Sequence, residues 1–164
     1  MKGEKHDFSK IKLFLSDVDG VLTDAGMYYT ENGDEFKKFC TYDGIGFQLL
    51  QKTGIKVGIL TTEDRELNRR RAKKLGLDFD FHGLKDKLQL VKDLCEKENI
   101  SLDEVAYIGD DINCFSLLSN DGIAACPNNA VSKVKAIPNI IHLKKKGGDG
   151  VVRELAEKIM ISKN

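Results

Sequence analysis

The sequence has no tryptophan, only two prolines, and an aromatic content of 7% over its 164 residues. It has no apolar run long enough to span a bilayer, and the polar stretch from Met1 to Lys10 lacks the apolar segment of a signal peptide. Lysine plus arginine number 26, as do aspartate plus glutamate. Because these charges balance, no overall field attracts nucleic acid or an anionic membrane, and we expect neither as a partner.

Cysteines are few and lie far apart in the sequence, at Cys40, Cys95, Cys114 and Cys126. Without a Cys-x-x-Cys pair, neither a zinc site nor a disulfide framework is indicated. We therefore expect reduced, mostly buried thiols in a cytoplasmic protein. The length favours one domain, residues 1–164, which is large enough to bury a core.

The most informative stretch, residues 11–24, begins as an apolar strand and ends in carboxylates, a glycine and a threonine. Side chains alternate along a strand, so Asp17 and Asp19 can point to the same side. Two carboxylates in one small space repel each other unless a cation or a shared proton lies between them. Mg²⁺ prefers such oxygen ligands, and Gly20 lets the backbone turn sharply beside one. An ordinary charged turn is the alternative, because Asp-x-Asp is common by chance.

Strand and helix patterns alternate along the rest of the chain. Strands are predicted at 56–60, 79–82, 105–109, 122–126 and 139–143, and helices at 42–52, 65–75, 86–98 and 151–161. This alternation predicts an α/β fold with a doubly wound, mainly parallel sheet. Such sheets bind ligands beyond the carboxyl ends of their strands, which is where Asp17, Thr61 and Asp110 fall.

Lys87 stands in the first turn of a predicted helix, where its charge opposes the helix dipole. A cation in this place indicates an anion close by. The helix starts just after a strand, so we expect Lys87 to lie near the other polar groups.

Residues 26–40 contain aromatic and β-branched residues on both sides of Asn32-Gly33, a pair in which both positions tolerate positive φ. This pattern predicts a small β-hairpin inserted after the first strand. Its aromatic side chains either form a partner surface or fold back on their own domain. Near the other end, a glycine-rich segment opens a C-terminal tail, residues 147–164.

Four groups of residues resemble, in order, the four motifs of the haloacid dehalogenase superfamily of phosphatases. They are Asp17-Val18-Asp19-Gly20-Val21-Leu22-Thr23-Asp24, Thr61, Lys87 and Gly109-Asp110-Asp111-x-Asn113. The small hairpin, the absence of a cap domain and the ending Gly147-Gly148-x-Gly150-x-x-Arg153-Glu154 are similar to the 3-deoxy-D-manno-octulosonate 8-phosphate phosphatases. The resemblance implies a Rossmann-like fold and a Mg²⁺-dependent phosphomonoesterase.

The resemblance also implies a role for each acid. Asp17 would attack phosphorus to give an aspartyl-phosphate, and Asp19 would protonate the leaving sugar oxygen and then deprotonate water. Mg²⁺ would be held by the Asp17 carboxylate, the Asp19 main-chain carbonyl and Asp110, with Asp111 in support.

The resemblance assigns Thr61 and Lys87 to the phosphoryl oxygens, whose charge they would stabilise. The sequence departs from the family pattern at Cys114, where many relatives have aspartate, and this removes one outer carboxylate from the metal site.

A second departure concerns the substrate, because this chain reads Thr61-Thr62-Glu63 where the octulosonate enzymes usually read Thr-Gly-Arg. We expect Thr62, Glu63, Arg71 and Lys74 to bind substrate, as in phosphatases of nine-carbon ulosonate 9-phosphates. A longer polyol offers hydroxyls to Glu63, and the basic groups would meet the sugar carboxylate. The alternative is that Arg71 and Lys74 are surface charges.

Capless family members form tetramers, so the resemblance implies a homotetramer in which the hairpin and the C-terminal tail close a neighbour's site. Two other functional classes remain open. One is a catalytically weak assembly module associated with a sugar-acid cytidylyltransferase, although both Asp17 and Asp19 are present. The other is a receiver domain of phosphorelay signalling, whose phosphate-accepting aspartate lies on a middle strand instead.

Overall fold

A six-stranded parallel sheet forms the centre of the computed structural model, which describes residues 6–163. In chain order the strands are β1 Leu13–Ser16, β2 Tyr28–Tyr29, β3 Glu35–Phe36, β4 Lys56–Leu60, β5 Phe79–Phe81, β6 Val105–Ile108, β7 Ile123–Cys126 and β8 Ile141–His142. The sheet has the order β5-β4-β1-β6-β7-β8, while β2 and β3 pair separately. The chain therefore builds the sheet outward from β1 in both directions, and a cleft is expected beyond the carboxyl ends of β1 and its neighbours.

Helices cover both faces of this sheet, as the predicted doubly wound fold requires. They are α1 Thr41–Lys52, α2 Glu66–Leu75, α3 Lys87–Glu98, α4 Phe115–Leu118, α5 Ser132–Lys135 and α6 Val151–Lys163. Phe14 of β1 packs in the core shared with α1 and α6, whereas Leu13 and Leu15 pack in the core shared with α3 and α4. The apolar run of β1 follows from burial on both faces. Within residues 6–163, none of the helices is long and apolar enough to cross a membrane.

The predicted hairpin is present, with Tyr28 paired to Phe36 and Tyr29 to Glu35. Its turn differs from the two-residue turn that Asn-Gly favours. Thr30 accepts a backbone hydrogen bond from Gly33 and donates one to Asp34, and only Gly33 of the Asn-Gly pair has positive φ, at 91°. The loop is therefore a turn followed by a glycine bulge, the common three-residue hairpin connection.

Within one chain, the glycine-rich segment packs against its own fold; entry of the C-terminal tail into a neighbour's site stays a prediction. The Gly147 N–H donates to Asn129 Oδ1 at 2.7 Å, and a Cβ on Gly147 would lie 2.1 Å from the carbonyl oxygen of Gly20. The apolar face of α6 is buried in the core. Residues 147–163 thus complete the fold of their own chain, because releasing them would expose that face to water.

The buried side chain of Asp43 links helices α1 and α6 by hydrogen bonds. Its Oδ1 accepts hydrogen bonds from the backbone N–H groups of Val152 at 3.0 Å and Arg153 at 3.2 Å, in the first turn of α6. The side chain belongs to α1, so α1 supplies the cap that α6 needs. Burial raises the Asp43 pKa to about 6, although these two hydrogen bonds oppose the shift.

We expect Asp43→Asn to keep this cap and to remove a pH dependence of stability. Because the folded-state pKa is raised above 3.8, the carboxyl contributes stability at low pH that is lost as pH rises through about 6. Between about pH 4 and pH 7.5, the difference in unfolding free energy should shift by on the order of 2–3 kcal/mol in favour of the asparagine variant. Urea unfolding of both proteins at several pH values measures it, and a pH-independent difference would contradict the assignment. Asp43→Ala, which leaves the two N–H groups uncapped, should be less stable than Asp43→Asn throughout.

Candidate active site

A pocket of about 340 Å³ opens beyond the carboxyl ends of β1, β4 and β6, where the sequence predicted a ligand site. Its lining consists of carboxylates, hydroxyls and amides with only two apolar side chains. The lining residues are Asp17, Asp19, Ala25, Thr61, Thr62, Glu63, Asp110, Asp111, Ile112 and Asn113. Three separate strand ends thus contribute to one acidic pocket.

Asp17 lies at the bottom of this pocket, 4% exposed, directly after β1. Its Oδ1 accepts hydrogen bonds from the Val18 N–H at 2.8 Å and from Lys87 Nζ at 3.0 Å. Lys87 begins α3 behind an Asp86 cap and is itself 4% exposed. The structure therefore places Lys87 beside an anion, as its position in the helix predicted.

Lys87 and Asp17 belong to a closed ring of buried hydrogen bonds. Lys87 Nζ donates to the Tyr107 hydroxyl at 3.2 Å, that hydroxyl to Cys114 Sγ at 3.1 Å, and the Cys114 thiol to Asp17 Oδ2 at 3.1 Å. Burial disfavours the charge of Lys87, but the neighbouring Asp17 and Cys114 outweigh it and raise the lysine pKa. Both oxygens of Asp17 are thereby held in a fixed orientation.

Cys114 supplies this ring with a thiol where the family pattern has a carboxylate. Burial, and next to it the Asp17 charge, raise the Cys114 pKa to about 12. The thiol therefore stays protonated near neutral pH and can act as a donor to Asp17. Because Cys114 stands where many relatives have a carboxylate, Asp17 is the one ion-pair partner of Lys87 among residues 6–163.

Asp110 follows β6 and faces Asp17 across the pocket floor. Burial, together with the charges of Asp17 and Asp111, raises the pKa of Asp110 to about 8. Its buried Oδ1 has no hydrogen-bond partner within the described part of the chain. Asp17 and Asp110 thus place two carboxylates side by side, and one of their oxygens lacks a partner. Hard divalent cations prefer such oxygen ligands, so the residues present fit Mg²⁺.

Gly20 provides the space for Asp110. Its φ is +84°, and a Cβ at this position would lie 1.8 Å from Asp110 Oδ2. Glycine is required here both for the backbone conformation and for the close approach of the carboxylate.

Asp19 also lines the pocket, and it is paired with Lys37, which no sequence motif marks as a site residue. Lys37, just after β3, places Nζ 2.8 Å from Asp19 Oδ1 and 3.1 Å from Glu63 Oε2. Burial raises the Asp19 pKa above its ordinary value, and Lys37 opposes that shift in part. No local pattern marks Lys37, because the hairpin brings it to the pocket from outside the strand ends.

The remaining predicted pocket residues occupy the strand ends as well. Thr61 is buried directly after β4, and its Oγ1 accepts from the Glu63 N–H at 3.2 Å. Thr62 Oγ1 accepts from Asn113 Nδ2 at 3.0 Å, which links two walls of the pocket. Asp111 is exposed at the rim, and its Oδ1 accepts from the Ile112 N–H at 2.7 Å, so this oxygen caps the following turn.

The basic residues Arg71 and Lys74 do not reach this pocket. Arg71 lies over the Phe39 ring, 5.3 Å from its centroid, and donates to the Cys40 carbonyl at 3.3 Å. Lys74 is exposed near the end of α2. Within one chain the structure thus separates them from Thr62 and Glu63, with which the sequence analysis grouped them.

The chain is similar to proteins of one known family. Two family profiles, each described as haloacid dehalogenase-like hydrolase, match residues 37–114 and 81–155. A 3-deoxy-D-manno-octulosonate 8-phosphate phosphatase of Haemophilus influenzae is 34% identical over 151 residues, covering 92% of this chain and 83% of that protein. The chain belongs to the haloacid dehalogenase-like hydrolases. It is an enzyme of the phosphatase type, so the receiver-domain alternative is wrong.

Solved structures of this family agree in fold. The octulosonate 8-phosphate phosphatase of Moraxella catarrhalis, crystallised with magnesium, phosphate and a KDO molecule, has a TM-score of 0.91 and 36% identity, covering 96% of this chain and 90% of that one. The cobalt-bound Haemophilus influenzae enzyme has a TM-score of 0.89 and 32% identity, covering 96% and 91%. A capless, Rossmann-like phosphatase fold is therefore shown for residues 6–163.

Gly20→Ala should abolish much of the activity of this hydrolase, while Gly54→Ala should not. Gly20 and Gly54 share φ of +84°, but a Cβ at Gly54 meets nothing within 4 Å. Both variants carry backbone strain of about 1–2 kcal/mol, and only Gly20→Ala displaces Asp110. We expect kcat/KM for an aryl phosphate to fall at least about hundredfold in Gly20→Ala and to stay near wild type in Gly54→Ala.

Equal activity losses in the two glycine variants, after correction for their unfolding midpoints, would show that strain alone is responsible. The close contact with Asp110 would then have no catalytic importance.

Proposed function

We propose that this chain hydrolyses the phosphate monoester of a 3-deoxy ulosonate, with 3-deoxy-D-manno-octulosonate 8-phosphate as the first candidate and Mg²⁺ as cofactor. The observation that carries the proposal is the buried Asp17, held by Lys87 at 3.0 Å beside an Asp110 oxygen that has no partner within residues 6–163. The octulosonate enzymes of Haemophilus influenzae and Moraxella catarrhalis support the substrate class by their similarity.

Asp17 is the nucleophile in this proposal. One of its oxygens forms a bond to phosphorus while the bond from phosphorus to the sugar oxygen breaks, which gives an aspartyl-phosphate. Asp19 donates a proton to the departing sugar oxygen. It then accepts a proton from the water that attacks phosphorus, so that inorganic phosphate is released and Asp17 is restored.

The carboxylates of Asp17 and Asp110 and the main-chain carbonyl of Asp19 would hold Mg²⁺, with Asp111 at the rim in support. When bound, the ion offsets repulsion between the Asp17 carboxylate and the phosphate dianion. Thr61 and Lys87 stabilise the negative charge on the phosphoryl oxygens. Lys87 is suited to this task because its ammonium is already fixed against Asp17.

A nine-carbon ulosonate 9-phosphate is the second candidate substrate, since Thr62 and Glu63 line the pocket where an additional hydroxyl would arrive. Two features weigh against it in a single chain. Lys37 engages Glu63 Oε2 at 3.1 Å, and neither Arg71 nor Lys74 lines the pocket. The eight-carbon ester therefore takes first place.

A homotetramer, in which the hairpin of one subunit closes a neighbour's site, is the assembly that fits this proposal. The hairpin presents Met27, Tyr29 and Phe36 to solvent, each about half exposed, and such a patch is typical of a protein interface. The four cysteines are free thiols, which suits a cytoplasmic enzyme.

The test compares kcat/KM with Mg²⁺ for the eight-carbon 8-phosphate and the nine-carbon 9-phosphate. We expect the eight-carbon ester to be preferred by about a hundredfold, equivalent to roughly 2.7 kcal/mol of transition-state binding. The reverse preference would assign Glu63 to recognition of the longer sugar. Turnover of neither ester would favour the assembly module.

Asp17→Asn is the control for mechanism. It should remove turnover of every phosphate ester without changing the fold, because the amide cannot attack phosphorus. Undiminished activity in this variant, checked by circular dichroism for an intact fold, would contradict the assignment of the nucleophile.

A further inference from the structure

The Lys37 ammonium group lies within 3.4 Å of acceptor atoms on three residues of the pocket and its wall. These are Asp19 Oδ1 at 2.8 Å, Glu63 Oε2 at 3.1 Å and Asn68 Oδ1 at 3.4 Å. Its side chain is 1% exposed. Lys37 therefore contacts the proposed proton donor Asp19, whereas Lys87 contacts the proposed nucleophile Asp17.

The hairpin determines where Lys37 lies. Tyr28 stacks on Phe36 with ring centroids 5.2 Å apart, and Arg65 Nη2 lies 2.6 Å from Glu35 Oε2. The second contact joins the hairpin to the residue that precedes α2. These contacts support the two residues before Lys37, and its buried side chain is directed into the pocket wall.

Lys37 compensates negative charge in the pocket. Five lining side chains are carboxylates, and Lys87 contacts one of them, Asp17. Lys37 pairs with two others, Asp19 and Glu63. Without it, Asp19 would lose the contact that fixes its oxygen and would face Glu63 without a cation between them.

We propose that Lys37 is a positioning residue that holds Asp19 in the orientation needed for proton transfer to the leaving group, so that the hairpin serves the site of its own chain. This inference rests on the proposed role of Asp19 as proton donor. It places Lys37 outside direct contact with phosphate, unlike Lys87. The hairpin then has a role within one chain, through Lys37, and this role does not require a contact between subunits.

The leaving group provides the decisive test. A sugar or other alkyl oxygen needs a proton to depart, whereas nitrophenolate leaves without one. Lys37→Met should therefore lower kcat/KM for the alkyl phosphate at least about tenfold and change kcat/KM for p-nitrophenyl phosphate less than about threefold, because kcat/KM does not include the later hydrolysis of the aspartyl-phosphate, in which Asp19 also acts. The ratio of the two rates on one protein preparation does not depend on the folded fraction.

Lys38→Met is the matched control, since the neighbouring lysine is exposed and lies 3.4 Å from Asp149, away from the pocket. It should leave both rates near wild type. In an Asp19→Asn background, Lys37→Met should cause no further loss of kcat/KM for the alkyl ester, because the two residues act through one proton transfer. Lys37→Gln repeats the comparison if the methionine variant does not fold.

Equal losses on the two substrates, or additive effects of the Asp19 and Lys37 substitutions, would overturn the role of Lys37. This outcome is distinct from failure of the proposed function. If the wild-type enzyme turns over alkyl phosphates but no ulosonate phosphate, the substrate proposal fails while the leaving-group ratio still tests Lys37.

Discussion

Two neighbouring carboxylates, the buried Asp17 and the half-buried Asp110, are the constraint on which the rest of this site depends. Asp17 and Asp110 follow the central strands β1 and β6, so the sheet itself brings them together. Burial and the charge of Asp17 raise the pKa of Asp110, and its Oδ1 has no hydrogen-bond partner within residues 6–163. Such a pair persists in a folded protein when a cation offsets the repulsion within it. Lys87 supplies one positive charge, and the proposed Mg²⁺ would supply a second where the space left by Gly20 lets Asp110 approach.

Much of the fold and of the pocket floor could be predicted from the sequence, for a clear physical reason. Parallel strands buried on both faces read as short apolar runs, and polar residues that follow them meet at one edge of the sheet. Asp17, Thr61 and Asp110 are found together for that reason. Lys87 was recognisable because its charge opposes the dipole of α3.

The parts that were not predictable depend on contacts between residues far apart in sequence. Lys37 reaches Asp19 only because the hairpin folds over the pocket, and no periodicity encodes that. Arg71 shares a helix with other basic residues, but packing on Phe39 decides where it points. The contact of the C-terminal glycines with their own chain depends on Asn129, whose side chain accepts from the Gly147 N–H, and no sequence pattern indicates that pair. The separate roles of catalytic and substrate-binding residues remain predictions.

The most direct test of the central claim is the effect of saturating Mg²⁺ on the Tm of the wild-type protein and of Asp110→Asn, one pH unit below and above the Asp110 pKa of about 8. A ligand that binds only the folded state raises Tm by an amount that grows with the logarithm of its concentration divided by its dissociation constant, so weaker binding at the same Mg²⁺ concentration gives a smaller shift. Because the proton on Asp110 must leave before the cation binds, the wild-type shift should be larger at the higher pH. Asp110→Asn should show little shift at either pH. An equal, pH-independent shift in both proteins would contradict the account.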